Sequence, residues 1–250
     1  MSEHRLDGRE NLAVAANTVL LRAENVSLRR DSGTGRRVIL DKVNLSIGGG
    51  QIIHLQGPSG TGKSTLLWAL ARMLPLDEGA LFFEGRPASE WTAPTWRTLM
   101  ALVVQTHSMV PGTVADNLLL PWTLKIRNRP ESGADVSRPH NDRLRRELDA
   151  LLLHEVSLET DASQLSVGQA ARISIVRTLL TAPRCLLLDE PCAALDGDAS
   201  DRVMARIADF TTDDRAALIV GHGALDRVGR VARVGRVLRL DSGKLTEEGR

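Results

Sequence analysis

The sequence predicts an α/β fold: a parallel sheet carries a phosphate-binding loop, an antiparallel β portion comes before it, and a helical segment is inserted into it. Two runs carry that expectation. Gly57-Pro58-Ser59-Gly60-Thr61-Gly62-Lys63-Ser64 follows the strand-like run Gln51 to Leu55 and leads into a helix-forming run from Ser64 to Met73. Far downstream, Cys185-Leu186-Leu187-Leu188-Asp189-Glu190 sets an apolar run ahead of two carboxylates. That pattern suits a buried central strand of a parallel sheet with its acids at the carboxyl end, the edge at which open α/β sheets bind ligands.

The first run is a phosphate loop of the P-loop NTPase type, and its chemistry explains its spacing. Gly57, Gly60 and Gly62 let the backbone turn tightly and bring N–H groups against phosphate oxygens. The following helix adds free N-terminal amides and the positive end of its dipole at the same place. Lys63 reaches the β- and γ-phosphates, and the Ser64 hydroxyl is placed to ligate Mg²⁺. The nucleotide-binding stretch thus runs from Gly57 to Thr65. Asp189 is then the natural partner of a phosphate-bound Mg²⁺, and Glu190 is placed to polarise the attacking water. An LLLDE run is weak by itself and strong beside the phosphate loop.

In chain order, residues 1–17 read as a mobile tail and 18–250 as one domain. The antiparallel portion takes Val19 to Ser27, Ile39 to Ile47 and Ala80 to Phe83. The parallel core takes the strand before Gly57, the apolar run Ala101 to Val104, the Cys185 run, and Ala217 to Val220. A helical subdomain, about Thr106 to Leu180, separates the second of these from the third. Within it, Arg127 to Asp142 is rich in Pro, Gly, Ser and charge and reads as an exposed loop. A strand from Arg236 to Leu240 and a hairpin close the chain.

Between the two nucleotide motifs lies Ser163-Gln164-Leu165-Ser166-Val167-Gly168-Gln169, ahead of a helical run from Ala170 to Thr181. Here the chain resembles the ATP-binding cassette (ABC) family, whose signature is L-S-G-G-Q. Other family motifs follow in the family's order. Gln105 resembles the glutamine that touches Mg²⁺ and the attacking water, Ala194-Leu195-Asp196 the D-loop, and His222 the switch histidine that contacts the γ-phosphate. The resemblance covers about Val19 to Leu245 and implies ATP and Mg²⁺ as cofactors. In the family, the signature meets the γ-phosphate held by the phosphate loop of a second cassette. Ser166, Gly168, Gln169 and Asp196 are therefore expected to act across a head-to-tail dimer. Ser166 also reads as a simple helix N-cap, and the two readings are compatible.

The chain departs from the family at two places of consequence. It contains no Tyr, and its Phe residues, Phe82, Phe83 and Phe210, lie away from the position where the family stacks an aromatic on adenine. Aligning Glu24 to Leu28 on the family's first strand puts Arg29 or Arg30 there; Arg30 is taken as the adenine contact. A guanidinium plane stacks on a base for about 1 kcal/mol, and the other reading is a solvated charge. Val167 replaces the first signature glycine, so no positive φ is expected at that spot.

Net charge is +1, which argues against nucleic acid as a partner bound through bulk charge. Cys185 and Cys192 fit neither a zinc ribbon nor a redox pair and read as small buried residues. His4, His54, His107, His140 and His154 form no ligand-spaced cluster. No apolar run approaches the roughly 20 residues of a membrane helix, and no signal peptide is visible. The resemblance implies a separate integral membrane permease and a place at the cytoplasmic face of the cell membrane, with His107 to Gly112 as the apolar docking segment. Thr113 to Leu118, Pro121-Trp122 and Ile126 to Arg129 look most like iron-export ATP-binding subunits. Lipoprotein- or peptide-export ATPases, and a soluble cassette outside transport, are the alternatives.

Overall fold

The computed structural model describes residues 19–32, 35–106, 108–128, 137–221 and 235–248. The expected mobile tail and His222 lie outside these residues. Strands β1 (Val19–Ser32) and β2 (Gly35–Gly48) pair antiparallel. On its other edge β1 pairs with β4 (Glu78–Phe83), which in turn pairs with the two-residue β5 (Arg86–Pro87). Both long strands run past their expected ends, because Arg29 to Ser32 go on pairing with residues 35–38.

The second sheet has the order β10-β9-β3-β8-β7-β6. Its strands are β3 (Ile52–Gln56), β6 (Met100–Val103), β7 (Cys185–Asp189), β8 (Ala216–Val220), β9 (Arg236–Asp241) and β10 (Lys244–Glu247). All neighbours are parallel except the β9–β10 hairpin. The carboxyl ends of β3, β8, β7 and β6 therefore share one edge. Residues 57–64 leave β3 there, Asp189 and Glu190 end β7, Gly221 follows β8, and Gln105 follows β6.

Every residue of β7 and β8 is buried, as strands covered on both faces require. Their alternation divides the interior in two. Cys185, Leu187, Leu218 and Val220 join a core with Leu66, Leu67 and Leu70 of α1 (Lys63–Leu70) and the inner face of the β1–β2–β4 sheet. Leu186, Leu188, Ala217 and Ile219 join a second core with α5 (Val167–Leu180) and α6 (Gly197–Phe210). Each fully buried Leu contributes about 1.5–3 kcal/mol by leaving water. Truncating one such as Leu187 to Ala would cost about 2–5 kcal/mol, because a cavity remains.

Helix α1 ends at Leu70, earlier than the run to Met73 suggests. Arg72 takes φ 53° and its Nη1 donates to the carbonyls of Ala88 and Trp91, which turns the chain out of the helix. The fully buried Trp96, on α2 (Ala93–Leu99), donates its indole N–H to the Leu70 carbonyl at 2.8 Å. One of the carbonyls orphaned at the helix end thus gains a partner.

The helical part comprises α3 (Val114–Leu119), α4 (Asn141–Ala150) and α5. Thr113 and Asp116 form a capping box on α3. Two guanidinium groups tie these helices together. Arg172 on α5 donates to the carbonyls of Leu151 and Leu152 just past α4, and Arg206 on α6 forks onto Glu147 of α4 at 2.9 and 3.0 Å. Helix α4 starts at Asn141, inside the stretch Arg127 to Asp142 expected as a loop, of which residues 129–136 lie outside the described ones.

Candidate active site

The phosphate loop is built around a close approach. Gly57 has φ 147°, and a Cβ there would come within 2.1 Å of the Leu240 carbonyl of β9, so only glycine lets the loop lie against that strand. Gly62, in the left-handed region, precedes α1, and no side chain caps the helix. Its leading amides are therefore available to an anion. Lys63 is buried, and its Nζ donates to the carbonyls of Gly57 and Pro58 at 2.8 Å each. With three donors on an ammonium, these bonds hold the side chain along the loop and leave one donor over.

Glu190 sits one residue beyond β7 with φ 49°, a conformation uncommon for a residue that bears a Cβ. Its amide donates to the Val220 carbonyl at 2.9 Å, which fastens it to β8. Gln105 Nε2 donates to Glu190 Oε2 at 2.8 Å, across 85 positions of sequence, and leaves the amide carbonyl of Gln105 as an acceptor. A strained backbone held by a neighbouring strand and aiming a carboxylate at a glutamine is the kind of feature that collects at functional sites.

A cavity of about 460 Å³ opens beside these groups, lined in part by Arg30, Ser64, Thr65, Gln105 and Asp189. Ser64 is exposed and Asp189 is buried at the base of the edge. A hydroxyl, an amide carbonyl and one carboxylate form a hard, all-oxygen donor set, which fits Mg²⁺, an ion that keeps several waters and takes few protein ligands. Among the described residues no cluster of three His, Cys, Asp or Glu side chains offers a different metal site. Of the two arginines considered for the adenine position, Arg30 lines this cavity, whereas Arg29 pairs with Glu78 at 2.9 Å and its guanidinium pKa is raised by that carboxylate.

The signature residues lie elsewhere. Ser166 caps α5: its Oγ accepts from the Gln169 amide at 3.2 Å, and Gln169 Oε1 accepts from the Ser166 amide at 2.9 Å. Gly168 packs close to Ala194, whose carbonyl would be 3.2 Å from an added Cβ. Asp196 caps α6, accepting from the Ala199 amide at 2.8 Å. Val167 opens α5 with ordinary helical geometry and is 73% exposed. None of Ser166, Gly168, Gln169 and Asp196 lines the cavity beside Ser64. Cys185 is buried, which pushes its thiol up to about 12 and leaves it inert.

Sequence reasoning passed over His54. It is buried in β3, its Nε2 donates to the Gly221 carbonyl at 3.2 Å and its Nδ1 accepts from Gln56 at 3.2 Å, so it links β3 to the backbone just ahead of position 222. A strand histidine of unknown partner carries no signal of this kind in sequence. His107 lies outside the described residues, Met109 packs against the second core, and the Val110 amide and carbonyl are both bound by the Asn117 side chain. Met109 and Val110 are half-buried, and Ser108, Pro111 and Gly112 of the segment expected to dock are exposed.

A model of the ABC transporter family matches residues 40–193. A hemin import ATP-binding protein of Nocardia farcinica is 33% identical over 246 residues, covering 95% of this chain and 80% of that protein. A probable iron export ATP-binding protein of Escherichia coli is 32% identical over 204 residues, covering 81% of this chain and 84% of that protein. Among solved structures, a dimeric ATP-binding cassette in a post-hydrolysis state, bound to ADP and Pi, is similar with a TM-score of 0.74 and 26% identity over 92% of this chain and 98% of that one.

Proposed function

The chain belongs to the ABC transporter family and carries its ATP-hydrolysing domain, and on that premise we propose that it works as one of two cassettes driving cargo through a separate membrane permease. The observation that carries the site assignment is the Gln105–Glu190 contact of 2.8 Å at the sheet edge that also bears Lys63 and Asp189. In this reading the amides of residues 60–65 and the Lys63 ammonium bind the β- and γ-phosphates and stabilise the charge that builds on them during transfer. Glu190 accepts a hydrogen bond from the attacking water, and Gln105 orients the carboxylate. Ser64, Asp189 and Gln105 would hold Mg²⁺, which when bound neutralises phosphate charge. His222 is assigned to the γ-phosphate by the family resemblance.

The signature cap, remote from this cavity, is assigned to the phosphate of the second cassette. The dimeric ADP- and Pi-bound relative supports that pairing. No helix among the described residues is long and apolar enough to cross a membrane, which is consistent with a separate permease and a peripheral place at the membrane. Iron is the proposed cargo, as the probable iron export relative and residues 113–129 suggest. The hemin import relative supports the same element carried inward. Deleting the chain from its own cells separates the two. Iron retained after an iron load supports export, and failure to grow on hemin as sole iron source supports import. Neither phenotype, with transport of other cargo intact, rejects iron.

A further inference from the structure

The parallel pairing of β3 with β8 ends at Leu55 and Val220, just short of Gly221. Beyond that point a side chain takes over. His54, 1% exposed in β3, donates from Nε2 to the Gly221 carbonyl at 3.2 Å. Its Nδ1 meets the side-chain amide of Gln56, the last residue of β3 and the one directly before Gly57, at 3.2 Å. A carbonyl can only accept, so the proton of the neutral ring sits on Nε2 and Nδ1 accepts from the Gln56 amide. Partners on both nitrogens hold the imidazole in one tautomer and one orientation. An apolar residue would fill this place with no polar group to satisfy, as Ile52, Ile53 and Leu55 do beside it.

Two consecutive carbonyls at the end of β8 are thus held from different strands. Val220 accepts from the Glu190 amide at 2.9 Å, and Gly221 accepts from His54. Glu190 keeps φ 49°, a backbone that persists only where its surroundings over-determine it. Its carboxylate in turn meets Gln105. A line of hydrogen bonds therefore joins the strand that carries the phosphate loop to the acid at the end of β7, and the imidazole is its link between β3 and β8. Without that donor the Gly221 carbonyl loses its tie to β3, and the end of β8 is free to shift with the Glu190 amide attached.

We propose that His54 is a positioning residue for ATP hydrolysis: fixed by Gln56, it locks the end of β8, and through Val220 the backbone of Glu190, to the root of the phosphate loop. The inference rests on the role proposed above for Glu190 and adds a residue that acts through it. Lys63 is held instead by the carbonyls of Gly57 and Pro58, so the imidazole governs turnover and not nucleotide affinity.

The test uses the full chain purified from its own cells with whatever co-purifies. His54→Leu keeps apolar bulk in the core and removes both ring nitrogens. Its kcat should fall by at least about ten-fold while ATP affinity stays within about two-fold, as for a group that serves the transition state and not ground-state binding. His54→Gln places an amide N–H near the position of Nε2 and an amide carbonyl toward Gln56, and it should recover most of the rate. Nitrogen NMR of protein labelled with 15N at its histidines adds a readout independent of turnover: at neutral pH the signal lost in His54→Gln should carry its proton on Nε2. Melting temperature reports whether His54→Leu folds; should it not, Gln56→Leu replaces it, with the same split between kcat and affinity expected. A ring protonated on Nδ1 or on both nitrogens, a folded His54→Leu with wild-type kcat, equal losses of kcat and affinity, or a His54→Gln as slow as His54→Leu overturns the proposal. Glu190→Gln is the control for the site itself. If it hydrolyses ATP at the wild-type rate, the site reading fails and takes this proposal with it; if it is inactive while His54→Leu turns over normally, only the role of His54 is rejected.

Discussion

Arg29 and Arg30 are chemically identical neighbours that leave strand β1 on opposite sides. One is engaged by Glu78, and the other reaches the cavity that holds Ser64 and Thr65. Sequence could not choose between them, because the choice depends on which side of β1 faces the phosphate loop. If Arg30 stacks on adenine, Arg30→Ala should weaken ATP binding by a few-fold, in line with about 1 kcal/mol of stacking, and Arg30→Tyr should recover it. Titration of the purified variants with a fluorescent ATP analogue measures this. Equal affinity in all three proteins would make Arg30 a solvated charge. Gly57 shows a different limit. Its motif position was legible, with a reason drawn from the phosphate, yet the Leu240 carbonyl across from it is a second reason that only the packed strand supplies.

Helix α5 begins with a capping box whose two side chains are both occupied locally. That arrangement is sufficient for a structural role and equally suits a helix end that presents amides to a second cassette. A pair of substitutions separates the roles. Ser166→Ala should lower stability by about 1 kcal/mol through loss of the cap. Ser166→Asp keeps a good capping residue and should hold the melting temperature near the wild-type value. If the amides of α5 meet the γ-phosphate of the opposite cassette, the added carboxylate should nevertheless abolish ATP-driven dimerisation by repulsion. Dimerisation of Ser166→Asp at the wild-type level would leave the signature as a cap alone. Helix α1 teaches a related lesson: its run was expected to reach Met73, yet it ends at Leu70, whose carbonyl accepts the indole N–H of Trp96, a partner distant in sequence.

The molecule as a whole brings one phosphate loop and one signature to separate places, so on the reading proposed above a complete hydrolytic site takes two copies or a second cassette. Without nucleotide the chain should be mainly monomeric. Glu190→Gln keeps the binding groups and removes the carboxylate proposed to polarise water, so ATP should hold it as a dimer, and sizing chromatography with saturating Mg-ATP reads the difference. A variant that stays monomeric would count against the split site. The same variant should lose the wild-type hydrolysis rate by at least about a hundred-fold, the usual scale of a lost general base.

Sequence alone determined the local chemistry: a phosphate loop between a strand and a helix, two acids ending an apolar strand, and a cap before α5. These rest on contacts between residues near each other in the chain, where spacing alone specifies geometry. Tertiary structure decided the rest. The parallel order β3-β8-β7-β6 set the loop, Asp189, Glu190 and Gln105 on one edge, and the 2.8 Å contact between Gln105 and Glu190 spans 85 residues. It also brought Arg30, and not Arg29, to the cavity beside Ser64 and paired Arg206 of α6 with Glu147 of α4. Each of these follows from which faces of distant elements the two cores press together, and a linear pattern does not carry that information.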